Sequence, residues 1–238
     1  MAHYPHFMEE RQHTLLAHVV RSYIARAEPV SSQALAGALG VSSATIRNQM
    51  AELEAEGYLT QPHTSAGRVP TLKGYQFYLD NLVRNQEPKV AEQRTLRDLV
   101  HDLRADQEQL ARHLARALAT LTGEAAVVGF GSSDVYYTGL SNLFGQPEFQ
   151  VADMVRAMGL ALDHLDEAMS KLYRELEPAQ SVVVKIGSAN PFGQGCALIF
   201  TTYPAAAQSN VIGILGPLRM DYEANLARLQ YVRALFGS

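Results

Sequence analysis

Residues 41–70 read VSSATIRNQMAELEAEGYLTQPHTSAGRVP, and this stretch decides the fold of the first part of the chain. Ser42 or Ser43 is a good N-cap for a helix that runs to about Glu56, where Gly57 supplies the C-terminal stop. The following QPHTSAGRVP has a proline near each end and a Ser-Ala-Gly turn in its middle, which is typical of a β-hairpin. The stretch therefore predicts a helix followed by a hairpin wing.

Helical signals flank this stretch on both sides. Upstream, apolar residues recur at three- and four-residue steps over residues 9–27, which predicts a helix with one buried face. Ser31 and Ser32 are good N-caps for a second, shorter helix that ends at the Gly-Val turn 40–41. Downstream of the wing, Thr71 caps a further helix. Two short helices joined by a glycine turn, behind a longer first helix, form a helix-turn-helix.

These elements together predict a winged helix-turn-helix domain over residues 1–84, a fold that binds DNA. Net charge does not strengthen the prediction, because the whole chain carries a formal charge of −4. Residues 1–84 are neutral, with seven Lys or Arg and seven Asp or Glu side chains. The prediction of DNA binding therefore depends on where the charges lie and not on their sum.

The third helix of this domain has two different faces. Ile46, Met50 and Leu53 share the face that must pack on the first two helices. The opposite face presents small alanines beside Asn48, which can pair with adenine, and Arg47, which can reach guanine or phosphate. The predicted DNA-binding residues lie at the helix cap, on this face and in the wing: Ser42, Ser43, Ala44, Thr45, Arg47, Asn48, His63, Thr64, Ser65 and Arg68.

Each of these residues also has an ordinary structural explanation. A serine at an N-cap is usually only a cap, a surface arginine is more often solvated, and the wing residues are common in turns. Their convergence on the one surface that a winged helix offers to DNA favours the interface. Some winged helices serve as protein-interaction modules instead.

The remainder of the chain predicts an α+β arrangement. A long helix over residues 85–122, with a leucine stripe interrupted at Asp106, links the first domain to a region over 123–238. This stripe suits packing within one chain and a two-chain seam about equally. The last region has two strand patterns, a helix over 151–177, three more strand patterns and a final helix capped by Asp221. Short links between the last strands predict an antiparallel sheet backed by helices.

Composition and motif spacing disfavour several classes of function. No apolar run approaches the roughly 20 residues that span a bilayer, and the N-terminus lacks a secretory h-region. The single cysteine fits a reducing cytoplasm. The glycine-rich segments lack phosphate-loop spacing, the histidines lack metal-ligand spacing, and Cys196 is better explained as a buried small apolar residue than as a nucleophile. We therefore predict a cytoplasmic protein with no membrane contact, catalytic residue, metal or cofactor.

One weaker site is suggested in the C-terminal region. Ser188, Asn190 and Arg219 lie in glycine-bounded segments where they could line a small-ligand site. The ordinary explanation, that these segments are turns that connect strands and cap the last helix, is favoured.

Four long motifs strongly resemble the HrcA family of bacterial heat-inducible transcription repressors. They lie at 41–80 (VSSATIRNQMAELEAEGYLTQPHTSAGRVPTLKGYQFYLD), 138–149 (TGLSNLFGQPEF), 185–190 (KIGSAN) and 211–222 (VIGILGPLRMDY). The resemblance implies a winged helix, a GAF-like domain with a dimerisation domain inserted into it, and binding to an inverted repeat upstream of chaperone operons. It also implies that the chaperonin GroE keeps the repressor active until heat shock diverts the chaperonin to unfolded clients.

The chain departs from the family pattern between TGEAAVVGFG and SSDVYYTGLSN, where typical members carry a much longer stretch that includes the dimerisation domain. Here Gly129 leads to Asp134 through a short glycine-serine connection, which a naturally compact member and an artificially shortened one would share. We therefore expect a reduced GAF-like domain, and a homodimer formed through the long helix and the C-terminal region. Smaller departures are Gln49 and Ala189.

The leading hypothesis is thus a repressor of heat-shock genes that acts as a homodimer on double-stranded DNA and responds to chaperonin. A second hypothesis is a ligand-sensing transcriptional regulator that uses the GAF-like domain. A third is an interaction module whose winged helix no longer binds DNA. An enzyme is the least supported class.

Overall fold

The chain folds into helices and antiparallel strands, which confirms the α+β class predicted from the sequence. The computed structural model describes residues 10–63, 66–103, 106–131, 134–174, 182–204 and 209–236. The chain divides into two units between Arg84 and Asn85.

The described residues of the first unit form four helices and a two-stranded sheet. Their order is α1 (Glu10–Arg26), α2 (Ser32–Leu39), α3 (Ser43–Ala55), β1 (Leu59–Thr60), β2 (Val69–Pro70) and α4 (Leu72–Asn81). α1 packs against α3 and α4, and α2 packs on α3. The buried side of α1, which the apolar periodicity predicts, supplies Leu15, Leu16, Val19 and Val20 to the core.

Local signals begin and end these helices where the sequence predicts. The side-chain oxygens of Ser31, Ser42 and Thr71 each accept a hydrogen bond from the backbone amide three residues later, at 3.2, 3.1 and 3.1 Å. Gly40 ends α2 with a φ of 66°, a left-handed conformation that glycine adopts without strain. The short turn that follows places α3 directly after α2.

The hairpin predicted after α3 is present, with β1 and β2 paired antiparallel over residues 59–60 and 69–70. Two contacts close the turn between them. Gln61 Nε2 donates to the carbonyl oxygen of Ala66 at 2.8 Å, and the Ala66 amide donates to the carbonyl oxygen of His63 at 2.9 Å. We call residues 61–68 the wing, and its members Thr64 and Ser65 lie outside the described residues.

The second unit is built around a five-stranded antiparallel sheet with the strand order β4-β3-β7-β6-β5. Its elements are α5 (Val90–Leu103), α6 (Gln107–Thr122), β3 (Ala125–Gly129), β4 (Val135–Thr138), α7 (Leu140–Phe144), α8 (Ala152–Asp163), α9 (Leu165–Arg174), β5 (Val183–Ile186), β6 (Cys196–Pro204), β7 (Ser209–Pro217) and α10 (Tyr222–Phe236). Short 3-10 helices occur at Pro147–Gln150 and Gly187–Ala189. The five strands lie where the five strand patterns predict them.

Helices cover the sheet on both faces, so β3 is buried along its whole length. Val127 of β3 packs into a cluster with side chains of α7, α8 and α9. Its neighbours in the strand point to the opposite face, where α6 and α10 contact β3 and β6. β3 and β4 form a tight hairpin, with Gly129 opposite Val135 and the Phe130 amide donating to the Asp134 carbonyl oxygen at 2.8 Å.

The prediction of one long linking helix over residues 85–122 is wrong. The structure has two helices there, α5 and α6, and both pack within the second unit. Asp106 has extended dihedrals, φ −122° and ψ 93°, and its Oδ1 accepts a hydrogen bond from the Gln109 amide at 3.0 Å. The Asp-Gln break in the leucine stripe is therefore an N-cap that starts a second helix.

The single helix predicted over residues 151–177 is also divided. α8 ends at Asp163 and α9 begins at Leu165, because His164 between them has non-helical dihedrals of φ −111° and ψ 35°. Apolar periodicity continues through residues 151–177, so it does not reveal the interruption at His164. Residues 175–181 lie outside the described part of the chain.

Candidate nucleic-acid interface

The orientation of α3 is fixed by three buried side chains. Ile46, Met50 and Leu53 are at most 1% exposed, and they pack in the interior of the first unit. The helical repeat then turns the opposite side toward solvent. The exposed residues of that side are Ala44, Thr45, Arg47, Asn48, Ala51, Glu52 and Ala55. The division of the helix into two faces, which the sequence predicts, is confirmed.

Arg47 and Asn48 have no hydrogen bond or ion pair to any other described residue. Their neighbours Ala44 and Ala51 carry only a methyl group, so no bulky side chain of α3 stands between these two polar groups and an approaching ligand. A guanidinium and an amide in this setting keep their full hydrogen-bonding capacity for another molecule.

The two serines at the start of α3 have structural contacts. Ser42 Oγ caps the helix and lies 2.9 Å from Thr45 Oγ1. Ser43 Oγ lies 3.1 Å from Ser32 Oγ, which ties the beginning of α3 to the beginning of α2. Ser42 and Thr45 remain exposed, whereas Ser43 is only partly so. The helix N-terminus with its exposed hydroxyls can therefore still receive an anion.

The predicted DNA-binding residues of the wing differ in their exposure and contacts. His63 is exposed, and the predictions for Thr64 and Ser65 fall outside the described residues. Arg68 does not extend toward solvent, since its side chain is 14% exposed and forms a salt bridge with Glu54 of α3. The structure thus groups Arg47 and Asn48 on the open side of α3 and places Arg68 in a contact between α3 and the wing.

Sequence reasoning misses two residues of this contact. It does not single out Glu54, although Arg68 is the sole Lys or Arg between Arg47 and Lys73. That isolation of Arg68 is a signal that could have suggested the pair. The second residue is Gly67, where a Cβ atom would overlap the carbonyl group of Val30. No local sequence pattern predicts that approach.

The weaker ligand site predicted in the second unit is not assembled as one cluster. Ser188 and Asn190 line a cavity of about 470 Å³, but Arg219 is absent from its lining. Arg219 instead forms a salt bridge with Glu148, and its Nη2 donates to Gln146 Oε1 at 2.7 Å. Asn190 is 5% exposed, and its Oδ1 accepts a hydrogen bond from a backbone amide at 3.0 Å.

Burial perturbs several titratable groups in the described part of the second unit, among them Glu124 and Cys196. Glu124 is 6% exposed, and its Oε2 has no hydrogen-bond partner among the described residues. Desolvation raises the pKa of Glu124 to about 8, against the attraction of Arg219. Cys196 is buried, as predicted, and burial raises the pKa of its thiol to about 12. A protonated, enclosed thiol is a poor nucleophile.

The described helices include none that is long and apolar enough to cross a membrane. Among the same residues, no group of three His, Cys, Asp or Glu side chains is placed to hold a metal ion.

Comparison with known proteins identifies relatives along most of the chain. The family described as "HrcA protein C terminal domain" matches residues 39–225. A protein of Acetivibrio thermocellus named "Heat-inducible transcription repressor HrcA" is 27% identical over 334 aligned positions, covering 96% of this chain and 95% of its own length. Because 334 positions exceed the 238 residues of this chain, that relative contains residues with no counterpart here.

Two further comparisons, one of sequence and one of structure, extend this likeness. A Nocardioides protein with the same name is 47% identical over 124 residues, which are 51% of this chain and 36% of that protein. A crystal structure titled as that of a hypothetical protein has a TM-score of 0.76 and covers 97% of this chain and 98% of its own, at 19% identity. That likeness shows a shared fold. With the family match spanning most of its residues, the chain belongs to the HrcA family.

Proposed function

We propose that this chain is a sequence-specific DNA-binding repressor of heat-shock genes, and that its first unit is a winged helix-turn-helix with α3 as the recognition helix. The observation that carries the proposal is the open face of α3, where Arg47 and Asn48 have no partner among the described residues. The names of the relatives, heat-inducible transcription repressors, support the same function.

The chemistry of this face suits base edges in the major groove. The Asn48 amide can accept from and donate to adenine N6 and N7, and the Arg47 guanidinium can donate to guanine O6 and N7. The alanines allow the helix axis to come close to the bases. Ser42 and Thr45 at the helix N-terminus, where the helix dipole is positive, can receive a phosphate.

The finer features of the proposal follow from the resemblance to the family. We propose a homodimer that binds an inverted repeat, with two recognition helices about 34 Å apart, one helical turn of DNA. We also propose that the chaperonin GroE modulates this binding and that the protein has no catalytic activity or cofactor. A ligand-sensing regulator is not favoured by the relatives' names.

Selection from a random DNA pool tests the function. We expect the wild-type chain to enrich an inverted repeat, and Arg47→Ala and Asn48→Ala to reduce discrimination between this repeat and a scrambled duplex. Each lost base contact should lower discrimination by about 1–3 kcal/mol. Arg94→Ala, at an arginine of α5 whose side chain is 82% exposed, is the matched control and should bind as the wild type does. Unchanged discrimination in both α3 variants would exclude α3 as the recognition helix.

A further inference from the structure

We propose that Arg68 is a positioning residue, not a DNA ligand: with Glu54 it fastens the wing to the recognition helix. This inference rests on the proposed function, since it concerns how the DNA-binding surface is held in shape. It also replaces direct DNA contact, which the sequence predicts for Arg68, with an indirect role.

The side chain of Arg68 is already engaged within the chain. Its Nε donates to Glu54 Oε2 at 2.9 Å, and its Nη2 lies 2.8 Å from the same oxygen in a salt bridge. The side chains of Arg68 and Glu54 are 14% and 33% exposed, so the pair is partly withdrawn from water. To reach a phosphate with these same N–H groups, the guanidinium would have to leave this carboxylate unpaired, and that loss opposes the new contact.

The backbone of Arg68 is fixed as firmly as its side chain. Its amide donates to the Val30 carbonyl oxygen, and the Val30 amide donates to the Arg68 carbonyl oxygen, both at 2.9 Å. The preceding Gly67 lies against Val30 so closely that a side chain there would overlap the Val30 carbonyl group. Arg68 therefore joins three parts of the unit: the wing, the segment between α1 and α2, and α3.

The wing needs such an anchor because its own sheet is very short. β1 and β2 pair over two residues each, and an isolated two-stranded hairpin is at best marginally stable in water. Two backbone bonds to Val30 and the pair with Glu54 supply contacts that the sheet lacks. Loss of the pair should leave the helices intact but let the wing change its position relative to α3.

The pair also explains why α3 tolerates an acidic side chain near DNA. A free Glu54 carboxylate would repel phosphates, whereas a carboxylate bound by a guanidinium contributes little net charge. By the same argument, the bound Arg68 releases no counterion when the protein binds DNA. This difference from Arg47 can be measured.

The experiment compares Arg68→Gln, Glu54→Gln and the double variant with Arg47→Gln, on the duplex that the wild-type chain selects. Affinity is measured between about 50 and 200 mM salt, the range over which phosphate contacts change it most clearly. Circular dichroism and thermal melting establish that each variant is folded. Each of the Val30 and Arg68 backbone amides donates to the carbonyl oxygen of the other residue. The hydrogen-exchange rates of these amides therefore measure how firmly the wing is anchored when no DNA is present.

We expect Arg68→Gln and Glu54→Gln each to weaken binding by about tenfold, and the double variant to be no weaker than the single ones, because both remove one coupled pair. The double variant, which removes both charges of the pair, should keep the wild-type salt slope, whereas Arg47→Gln should lower the slope by about 0.9 if Arg47 contacts a phosphate. Both pair variants should speed exchange at Val30 and Arg68.

The opposite pattern would overturn the positioning role. If Arg68 touches phosphate directly, the double variant lowers the salt slope by about 0.9, and Glu54→Gln leaves binding unchanged or strengthens it by freeing a cation. A wild-type chain that selects no sequence would instead overturn the proposed function. In that case the exchange rates of the Val30 and Arg68 amides still test the anchor. Rates unchanged from wild type in the pair variants would contradict it, and faster rates would support it.

Discussion

Burial changes the chemistry of one acidic side chain in the second unit, Glu124. Its Oε2 lies so near Gly216 that a Cβ atom there would be 2.5 Å away. The nearby guanidinium of Arg219 is held by Glu148, so it does not compensate Glu124 with a hydrogen bond. An unpaired carboxylate in such a place is unfavourable, and the raised pKa of about 8 means that Glu124 is mostly protonated at neutral pH.

Glu124 therefore makes stability depend on pH in a defined direction. Because its folded-state pKa is raised from 4.5 to about 8, the stabilisation present below pH 4.5 is lost as the pH rises through 8. Glu124→Gln should remove this loss and be more stable than wild type at pH 9 by on the order of 3–5 kcal/mol. Urea unfolding at several pH values measures it, with Glu167→Gln, at an exposed site, as control. If the free energies of unfolding of wild type and Glu124→Gln change with pH in parallel, the prediction is contradicted.

At the scale of secondary-structure elements, the wing depends on Gly67, which lies two residues before β2. Gly67→Ala should destabilise the first unit by about 1–3 kcal/mol, because the added methyl group overlaps backbone atoms of Val30 that cannot rotate away. The same change at Gly37 in α2 meets nothing within 4 Å and should stabilise by about 0.5–1 kcal/mol. Thermal melting of both variants distinguishes these signs. Equal shifts would mean that the wing does not press on Val30.

The elements also show what the sequence can predict. The two faces of α3 follow from the helical repeat, and the caps at Ser42 and Thr71 follow from local hydrogen bonding, so both were accessible without coordinates. The division of the predicted linking helix at Asp106 could not be predicted in this way. The apolar periodicity indicates one continuous helix, whereas the N-cap at Asp106 starts a new one. The pair of Arg68 and Glu54 joins residues 14 positions apart, and only the fold brings them together.

In the second unit as a whole, one ion pair joins the first and last helices, α5 and α10. Arg228 Nη2 lies 2.7 Å from Glu92 Oε1, and the two side chains are 10% and 12% exposed. Arg228 Nη1 also donates to Asn225 Oδ1 at 2.8 Å. Hydrogen bonding from Arg228 lowers the pKa of Glu92 below its ordinary value of 4.5.

Glu92→Gln should destabilise the second unit by about 3–5 kcal/mol, because it leaves the Arg228 guanidinium buried without a counter-charge. The depressed pKa adds a pH signature: the stabilisation from the pair is present above pH 4.5 and is lost as acid protonates Glu92. Calorimetry measures both effects. Glu108→Gln, whose pair with Arg112 has side chains 57% and 32% exposed, is the control and should change stability by less than about 1 kcal/mol. Equal losses in both variants would contradict the prediction.

The proposed homodimer is a property of the whole molecule. Two chains should bind each selected inverted repeat, since each half-site is read by one recognition helix. Sedimentation velocity with labelled duplex measures this stoichiometry, and a duplex with one half-site scrambled serves as control. Saturation at one chain per intact repeat would exclude a dimer on the operator.

The hairpin between β3 and β4 has a consequence for how such a chain can change its length. Its strands end across from each other at Gly129 and Val135, with an antiparallel spacing of about 5 Å. A segment that begins and ends at neighbouring points should therefore fit between these strand ends without altering the register of the sheet. We therefore expect that a fluorescent reporter with adjacent termini, placed between Phe130 and Asp134, leaves the five-stranded sheet intact.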